Sequence, residues 1–369
     1  MFGTTLISIV TLMHVYVFWR AASVPFIKFR IPKKYIIGTG LILWILFFLG
    51  RVYGHHGVGT PAKVLEFIGM NWMAGLFLIF ICLLAMDLIT GFGLFLPRLA
   101  SRMRGLALVV GMGLSVIALV QGLRPPVVEN YDVSLSELPN EMENTVIIAI
   151  SDLHLGSLLG PQWLQARIAQ VKKQKPDLVV LLGDIFEGHG DSEDELLTVM
   201  HSLSAPLGVW AVYGNHELHR RDNQSETLIN KAKFKVLRNG WTELRSGLIL
   251  AGVDDLTTIQ RRTGQISHYI SKTLVGRPSG ATILLSHTPW ETEKAAEAGV
   301  GLMFCGHTHG GQIWPFDYLV KRRYPLLEGR YEVNGMTLIV SRGTGTWGPR
   351  MRLWSPGEIL RVTLHRKEK

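Results

Sequence analysis

The residues best equipped for chemistry come in five separated blocks: Asp152-Leu153-His154, Gly183-Asp184, Gly214-Asn215-His216-Glu217, Ser286-His287 and Gly306-His307-Thr308-His309. Each follows a short apolar run that reads as a β-strand, so polar groups are released at the strand's carboxyl end. Where strands run parallel, those ends share one edge of the sheet, and ligands collect there. The blocks together offer seven nitrogen or oxygen donors: Asp152, His154, Asp184, Asn215, His287, His307 and His309. A single histidine of this kind is ordinarily structural or on the surface. Five blocks that each carry ligand-type residues at a strand end point instead to one shared, dinuclear metal site. Carboxylates and imidazoles without thiolates suit Mn, Fe or Zn in five- or six-coordinate geometry more than a closed structural zinc.

The elements that must position these blocks follow from the apolar pattern. Strands are expected near 145–150, 178–182, 208–213, 248–253, 281–286, 302–305, 337–341 and 358–364, and helices near 161–175, 192–203, 223–232 and 291–298. Strand and helix alternate at first and strands dominate later, which predicts an α/β layered domain over residues 145–369. Residues 123–144 turn polar and bear Pro125, Pro126 and Pro139, marking a linker in which 127–135 partly alternates and already reads as a strand.

The first third is different. Apolar stretches near 2–19, 35–50, 72–90 and 105–122 approach the length that crosses about 30 Å of hydrocarbon, giving a transmembrane region over residues 1–122. The second stretch is the shortest and reaches Val52 if Arg51 snorkels. No basic residue precedes the first, so it reads as an uncleaved span rather than a signal peptide. Asp87 and His14 fall in or near these spans, where an ionisable group is a functional candidate or an interfacial residue; both read as interfacial, Asp87 close to the cytoplasmic end of the third span and within reach of the Arg98 to Arg104 cluster. Glycines 105, 111 and 113 are small enough to admit close helix packing.

Charge follows the same division. Of 38 Lys/Arg and 29 Asp/Glu, residues 1–122 take ten and two, leaving a nearly balanced 28 and 27 beyond. The basic excess therefore belongs to the membrane region, and no basic stripe for nucleic acid is evident. Arg20, Lys28, Arg30, Lys33 and Lys34 follow the first span and Arg98, Arg102 and Arg104 the third, against Arg51 and Lys63 after the second. Basic loops stay in the cytoplasm, so the domain after the fourth span is expected to be extracytoplasmic, at an inner or plasma membrane. Cys82 and Cys305 form no spacing that reads as a disulfide framework or thiolate site.

With its D-x-H, G-D, G-N-H-E, S-H and G-H-T-H-G-G-Q blocks, the chain resembles the calcineurin-like metallophosphoesterase family over roughly residues 125–369, in a membrane-anchored bacterial branch. The resemblance implies two mixed sheets flanked by helices. It also implies one metal on Asp152, His154, Asp184 and His309 and a second on Asp184, Asn215, His287 and His307, with Asp184 bridging. The implied activity is hydrolysis of a phosphomonoester or phosphodiester by a metal-bridging hydroxide, and anchoring beside a bilayer favours a lipid or lipid-linked phosphate as substrate. His216 is implied near the leaving group and is assigned as its proton donor.

Arg350, in a glycine-rich turn, is read as a bidentate phosphate grip, with a surface salt bridge as the alternative. His189, His201, His219 and His268 lack a ligand context and read as surface residues. The segment Trp314–Tyr331 combines aromatics with Lys321-Arg322-Arg323 directly after the last ligands, and reads as a membrane-interfacial rim or as ordinary packing with a solvated basic face. Two other functions compete: a nucleotide-sugar lipid pyrophosphatase of the lipid A type, which requires a cytoplasmic domain, and a non-catalytic metal-binding membrane sensor.

Overall fold

The computed structural model describes residues 2–55, 57–187, 193–219 and 224–367, which group into two compact units. Among the described residues, the first takes in everything up to Arg124 together with Gly348–Leu353. The second begins at Pro125 and holds the remainder.

The helical unit consists of α1 (Phe2–Ala21), α2 (Pro25–Arg30), α3 (Lys33–Leu49), α4 (Gly59–Ile89) and α5 (Pro97–Leu123). Proline opens α2 and α5, where its missing N–H costs nothing. Four of the helices are long and apolar enough to cross a membrane. The second, short by sequence, gains length because a π-helical turn, Gly50–Gly54, carries the run past Arg51. Val10, Val17, Phe47, Leu76, Ile79, Leu83 and Ala107 form the interior, while Leu12, Ile37, Leu106, Val109 and Val116 stay exposed. So much bare apolar surface is foreign to water-soluble proteins and ordinary for a lipid-facing bundle. Gly111 is required by close approach, since a Cβ there would stand 2.7 Å from Ile79 Cα; Gly113 faces open space.

Asp87, near the end of α4, meets Arg104, a member of the basic cluster expected within its reach. It is wholly buried, with Arg20 Nε at 2.6 Å, Arg104 Nε at 2.7 Å and a hydrogen bond from Tyr16 Oη at 2.5 Å. A carboxylate among apolar helices persists only when paired, and here two guanidinium groups compensate it. His14 is also buried, its Nε2 2.9 Å from the Gly40 carbonyl, so it ties α1 to α3.

The second unit runs β1 (Val127–Leu135), β2 (Val146–Ile150), α6 (Pro161–Lys172), β3 (Leu178–Leu181), α7 (Glu193–Met200), β4 (Val209–Ala211), α8 (Asn215–His219), α9 (Gln224–Lys231), β5 (Lys235–Val236), β6 (Gly240–Arg245) and β7 (Leu248–Gly252). It continues through α10 (Leu256–Thr263), α11 (Tyr269–Thr273), β8 (Ala281–Leu285), α12 (Thr292–Glu297), β9 (Leu302–Cys305), α13 (Phe316–Arg323), β10 (Gly329–Val333), β11 (Met336–Val340) and β12 (Glu358–Arg366). Two six-stranded mixed sheets result, ordered β1-β12-β2-β3-β4-β5 and β10-β11-β9-β8-β7-β6. The expected α/β sandwich is therefore present. Strands β2 to β5 run parallel in one sheet, as do β7, β8, β9 and β11 in the other.

The continuous apolar runs have a simple cause, which is that both faces of the central strands are covered. On β2, Ile147 and Ala149 face the other sheet, where they meet Ile283, Leu285 and Phe304. Ile148 and Ile150 point the opposite way, toward Leu164 and Ile168 of α6. Fully burying one such side chain contributes roughly 1.5–3 kcal/mol, so the rigid platform behind the strand ends is also the main source of stability.

Candidate metal centre

The donors gather where the parallel strands stop. Asp152 and His154 follow β2, Asp184 follows β3, Asn215 and His216 follow β4, His287 follows β8, and His307 and His309 follow β9. Hydrogen bonds lace this edge: Asp152 N–H donates to the Gly183 carbonyl (3.1 Å) within one sheet, and His307 N–H donates to Asp152 Oδ2 (3.0 Å) from the other. Five of the seven sequence-predicted donors, Asp152, His154, Asp184, His307 and His309, hold a positive φ between 45° and 71°. Non-glycine residues avoid that region at a cost of about 1–3 kcal/mol each, and such strain persists where surroundings impose it and function uses it. Gly214 has to be glycine, because a Cβ there would overlap the Asp184 carboxylate.

All seven donors come together. Asp152, His154 and His309 form one group of mutually close ligand atoms, and Asp184, His287 and His307 form another. In the first group the Nε2 atoms of His154 and His309 are 3.1 Å apart, and His309 Nε2 is 3.4 Å from Asp152 Oδ1. In the second, His287 Nε2 lies 3.2 Å from Asp184 Oδ2, 3.2 Å from Asn215 Oδ1 and 3.1 Å from His307 Nδ1. His216 makes a third grouping with His154 and Asp184, its Nε2 3.9 Å from Asp184 Oδ2. Its side chain is 25% exposed, against 1% for His154 and none for His287, so His216 is open to an incoming molecule where those two are not.

These residues fit a cation. Asp152 Oδ1 is buried and has no hydrogen-bond partner, while Oδ2 accepts from His307 N–H and from Ser151 Oγ. One oxygen is fixed by the protein and the other aims into the cluster, an arrangement that would be costly without a positive charge. Asp184 repeats it, with Oδ1 held by His216 N–H at 2.8 Å and Oδ2 facing the imidazoles. Burial alone would raise the Asp184 pKa, yet His287, His216 and His154 hold it well below the ordinary carboxylate range. Asp152 is lowered likewise, with His309 and His287 overcoming burial. Burial and the neighbouring His287 push His307 down to about 4, which keeps its ring neutral and ready to donate a lone pair.

Three supporting residues were not singled out as site residues from sequence. Glu187 Oε2 lies 3.1 Å from His154 Nδ1, and Tyr324 Oη lies 2.9 Å from His307 Nε2, so each fixes a ring through the nitrogen turned away from the cluster. Glu217 is buried and accepts from the N–H groups of Asp184, Gly214, Ile185 and Phe186 at 2.8–3.3 Å, clamping the turns after β3 and β4 together. Only Glu217 had a local signal, by its place in the G-N-H-E block. Arg350 falls in Gly348–Leu353, the segment that groups with the helical unit, where Gly122 packs against its backbone. His201 and His268 are exposed, His189 lies outside the described residues, and so does the side chain of His219.

Residues 145–311 match the Calcineurin-like phosphoesterase family. The chain is 32% identical over 265 residues to an uncharacterized metallophosphoesterase of Campylobacter jejuni, covering 71% of this chain and 69% of that protein. It is 34% identical over 242 residues to an uncharacterized metallophosphoesterase of Aquifex aeolicus, covering 65% of this chain and 92% of that one. A Bos taurus transmembrane protein with metallophosphoesterase domain is 31% identical over 279 residues, covering 70% of this chain and 62% of the bovine protein.

Proposed function

The chain belongs to the calcineurin-like metallophosphoesterase family, and from that premise we propose that it is a membrane-anchored, metal-dependent hydrolase of a phosphomonoester or phosphodiester. The observation that carries the reading is the position of Asp184. Its Oδ2 lies 3.2 Å from His287 Nε2 and 4.0 Å from His154 Nε2, so one carboxylate belongs to both halves of the cluster. On this reading Asp152, His154, Asp184 and His309 hold one cation and Asp184, Asn215, His287 and His307 a second, with Mn, Fe or Zn suited to the donor set. When bound, such cations supply Lewis-acid charge to phosphoryl oxygens and acidify a water at neutral pH.

The chain's own residues supply the rest. Glu217 and the backbone links hold the carboxylates in place before substrate arrives, so little reorganisation is needed. His216, partly exposed, donates a proton to the departing oxygen. Membrane anchoring by the helices supports a lipid-linked phosphate as substrate, and the basic loops after the first and third spans support an extracytoplasmic α/β unit. Arg20 and Arg104 are engaged with Asp87, yet Lys28, Arg30, Lys33, Lys34, Arg98 and Arg102 still outnumber Arg51 and Lys63. The complete donor set speaks against a degenerate, non-catalytic sensor.

The test is metal-reconstituted activity of the full chain on lipid phosphates, phosphodiesters and nucleotide sugars, with Asp184→Ala as control. Hydrolysis that needs the metal and is lost in the control supports the proposal. No turnover with Mn, Fe, Zn, Co or Mg across the panel would overturn it.

A further inference from the structure

Large apolar side chains are seldom exposed on the α/β unit, and most that are sit in two segments. Phe316, Tyr318 and Leu319 on α13 are 42%, 65% and 62% exposed, and Trp347 and Trp354 are 41% and 57% exposed. Among the described residues of this unit, only Val127 and Val275 are comparably bare. The two segments are built into one surface. The Trp314 and Trp354 rings are 5.0 Å apart, Ile313 and Trp354 form a β-bridge, and the Gln312 side chain accepts from Trp347 N–H at 2.9 Å and donates to its carbonyl at 3.2 Å. The last turn of α13 adds Lys321, Arg322 and Arg323, all exposed, with the Arg323 guanidinium lying 4.5 Å over the Trp290 ring. Tyr324, the next residue, touches His307, so this surface borders the metal cluster.

We propose that this aromatic and basic rim docks on an anionic bilayer surface. Two observations favour lipid over a protein partner. Tryptophan and tyrosine beside lysine and arginine is the mixture that settles at headgroup depth, the rings at the apolar boundary and the cations on anionic phosphates. The chain also tethers the α/β unit directly to a membrane-length helix. Its last membrane-length helix ends at Leu123, two residues before the α/β unit begins. Docking would hold the entrance of the cluster at the depth of a headgroup phosphate, whichever ester it cleaves.

The experiment reads position rather than turnover, so its failure and that of the hydrolase reading are separable. The full chain with Cys82→Ala is reconstituted in vesicles carrying a polarity-sensitive fluorophore at Leu319→Cys, with Val275→Cys as the comparison site. In phosphatidylcholine vesicles containing phosphatidylglycerol, the Leu319→Cys probe should shift to the blue and be quenched several-fold more by brominated lipid than the Val275→Cys probe. The shift should shrink at high salt and in Lys321→Gln with Arg322→Gln. Probes that behave alike would overturn the proposal. So would a blue shift at Leu319→Cys that ignores phosphatidylglycerol, salt and the double substitution, or that persists in detergent, since the face would then be covered by protein.

Discussion

The phenol oxygen of Tyr324 lies 2.9 Å from His307 Nε2, which leaves Nδ1 as the atom turned toward His287 and the cluster. Glu187 does the same for His154, holding Nδ1 so that Nε2 faces His309. Outer partners of this kind set ring orientation and raise ligand basicity, and their loss typically weakens metal binding about 10–100-fold. Tyr324→Phe and Glu187→Gln should each lower metal affinity by roughly that factor in a chelator competition assay, with the fold intact by circular dichroism. Unchanged affinity in both would show that neither partner orients a ligand.

Metal uptake should depend on pH with a definite sign. In the metal-free protein, burial opposes charge on His154, but Glu187, Asp184 and Asp152 outweigh it and push its pKa up to about 9. His287 is raised in the same sense, with Asp184 overcoming burial. A bound cation needs both rings neutral, so below about pH 9 it must displace protons, and apparent affinity should climb at least about tenfold per pH unit up to that point. Calorimetry in buffers of different ionisation enthalpy should register proton release at neutral pH. An affinity flat across that range would contradict ligation by His154.

His216 separates two roles. As proton donor, His216→Ala should retain metal and lose about a hundred- to ten-thousand-fold in turnover on esters with poor leaving groups, with much smaller losses on good ones. The geometry also groups His216 with His154 and Asp184, so metal content by mass spectrometry is the deciding reading. Loss of metal would make it a ligand, and equal losses across leaving groups would reject the proton donor.

Orientation is tested by labelling. A cysteine introduced at Asn140 should react with an impermeant thiol reagent from outside intact cells, and one at Ser101 should not. The reverse pattern would place the α/β unit in the cytoplasm and restore the lipid A type pyrophosphatase as a competitor.

What the sequence makes legible is whatever rests on local pattern. The donor blocks stand at strand ends because β2, β3, β4, β8 and β9 are short apolar runs covered on both faces, and a run of that kind followed by a polar turn is visible without a structure. Strand β5, only Lys235–Val236, and the short helices α10, α11 and α13 carry too few apolar positions to register. Tyr324 and Glu187 reach their histidines through the folded chain, and nothing in their neighbourhood announces it. Asp87 is a mixed case. Arg104 belongs to the basic cluster that the sequence places within reach, whereas Arg20 lies on α1 and nothing local announces its pairing.

The central claim is that one carboxylate serves two cations, and metal stoichiometry of Asp184→Ala tests it most directly. With the wild-type chain loaded to two ions, the variant should lose occupancy at both positions by mass spectrometry and fall by several orders of magnitude in turnover, because Asp184 Oδ2 faces His287 at 3.2 Å and His154 at 4.0 Å. An Asp184→Ala protein that keeps two ions per chain would contradict the account.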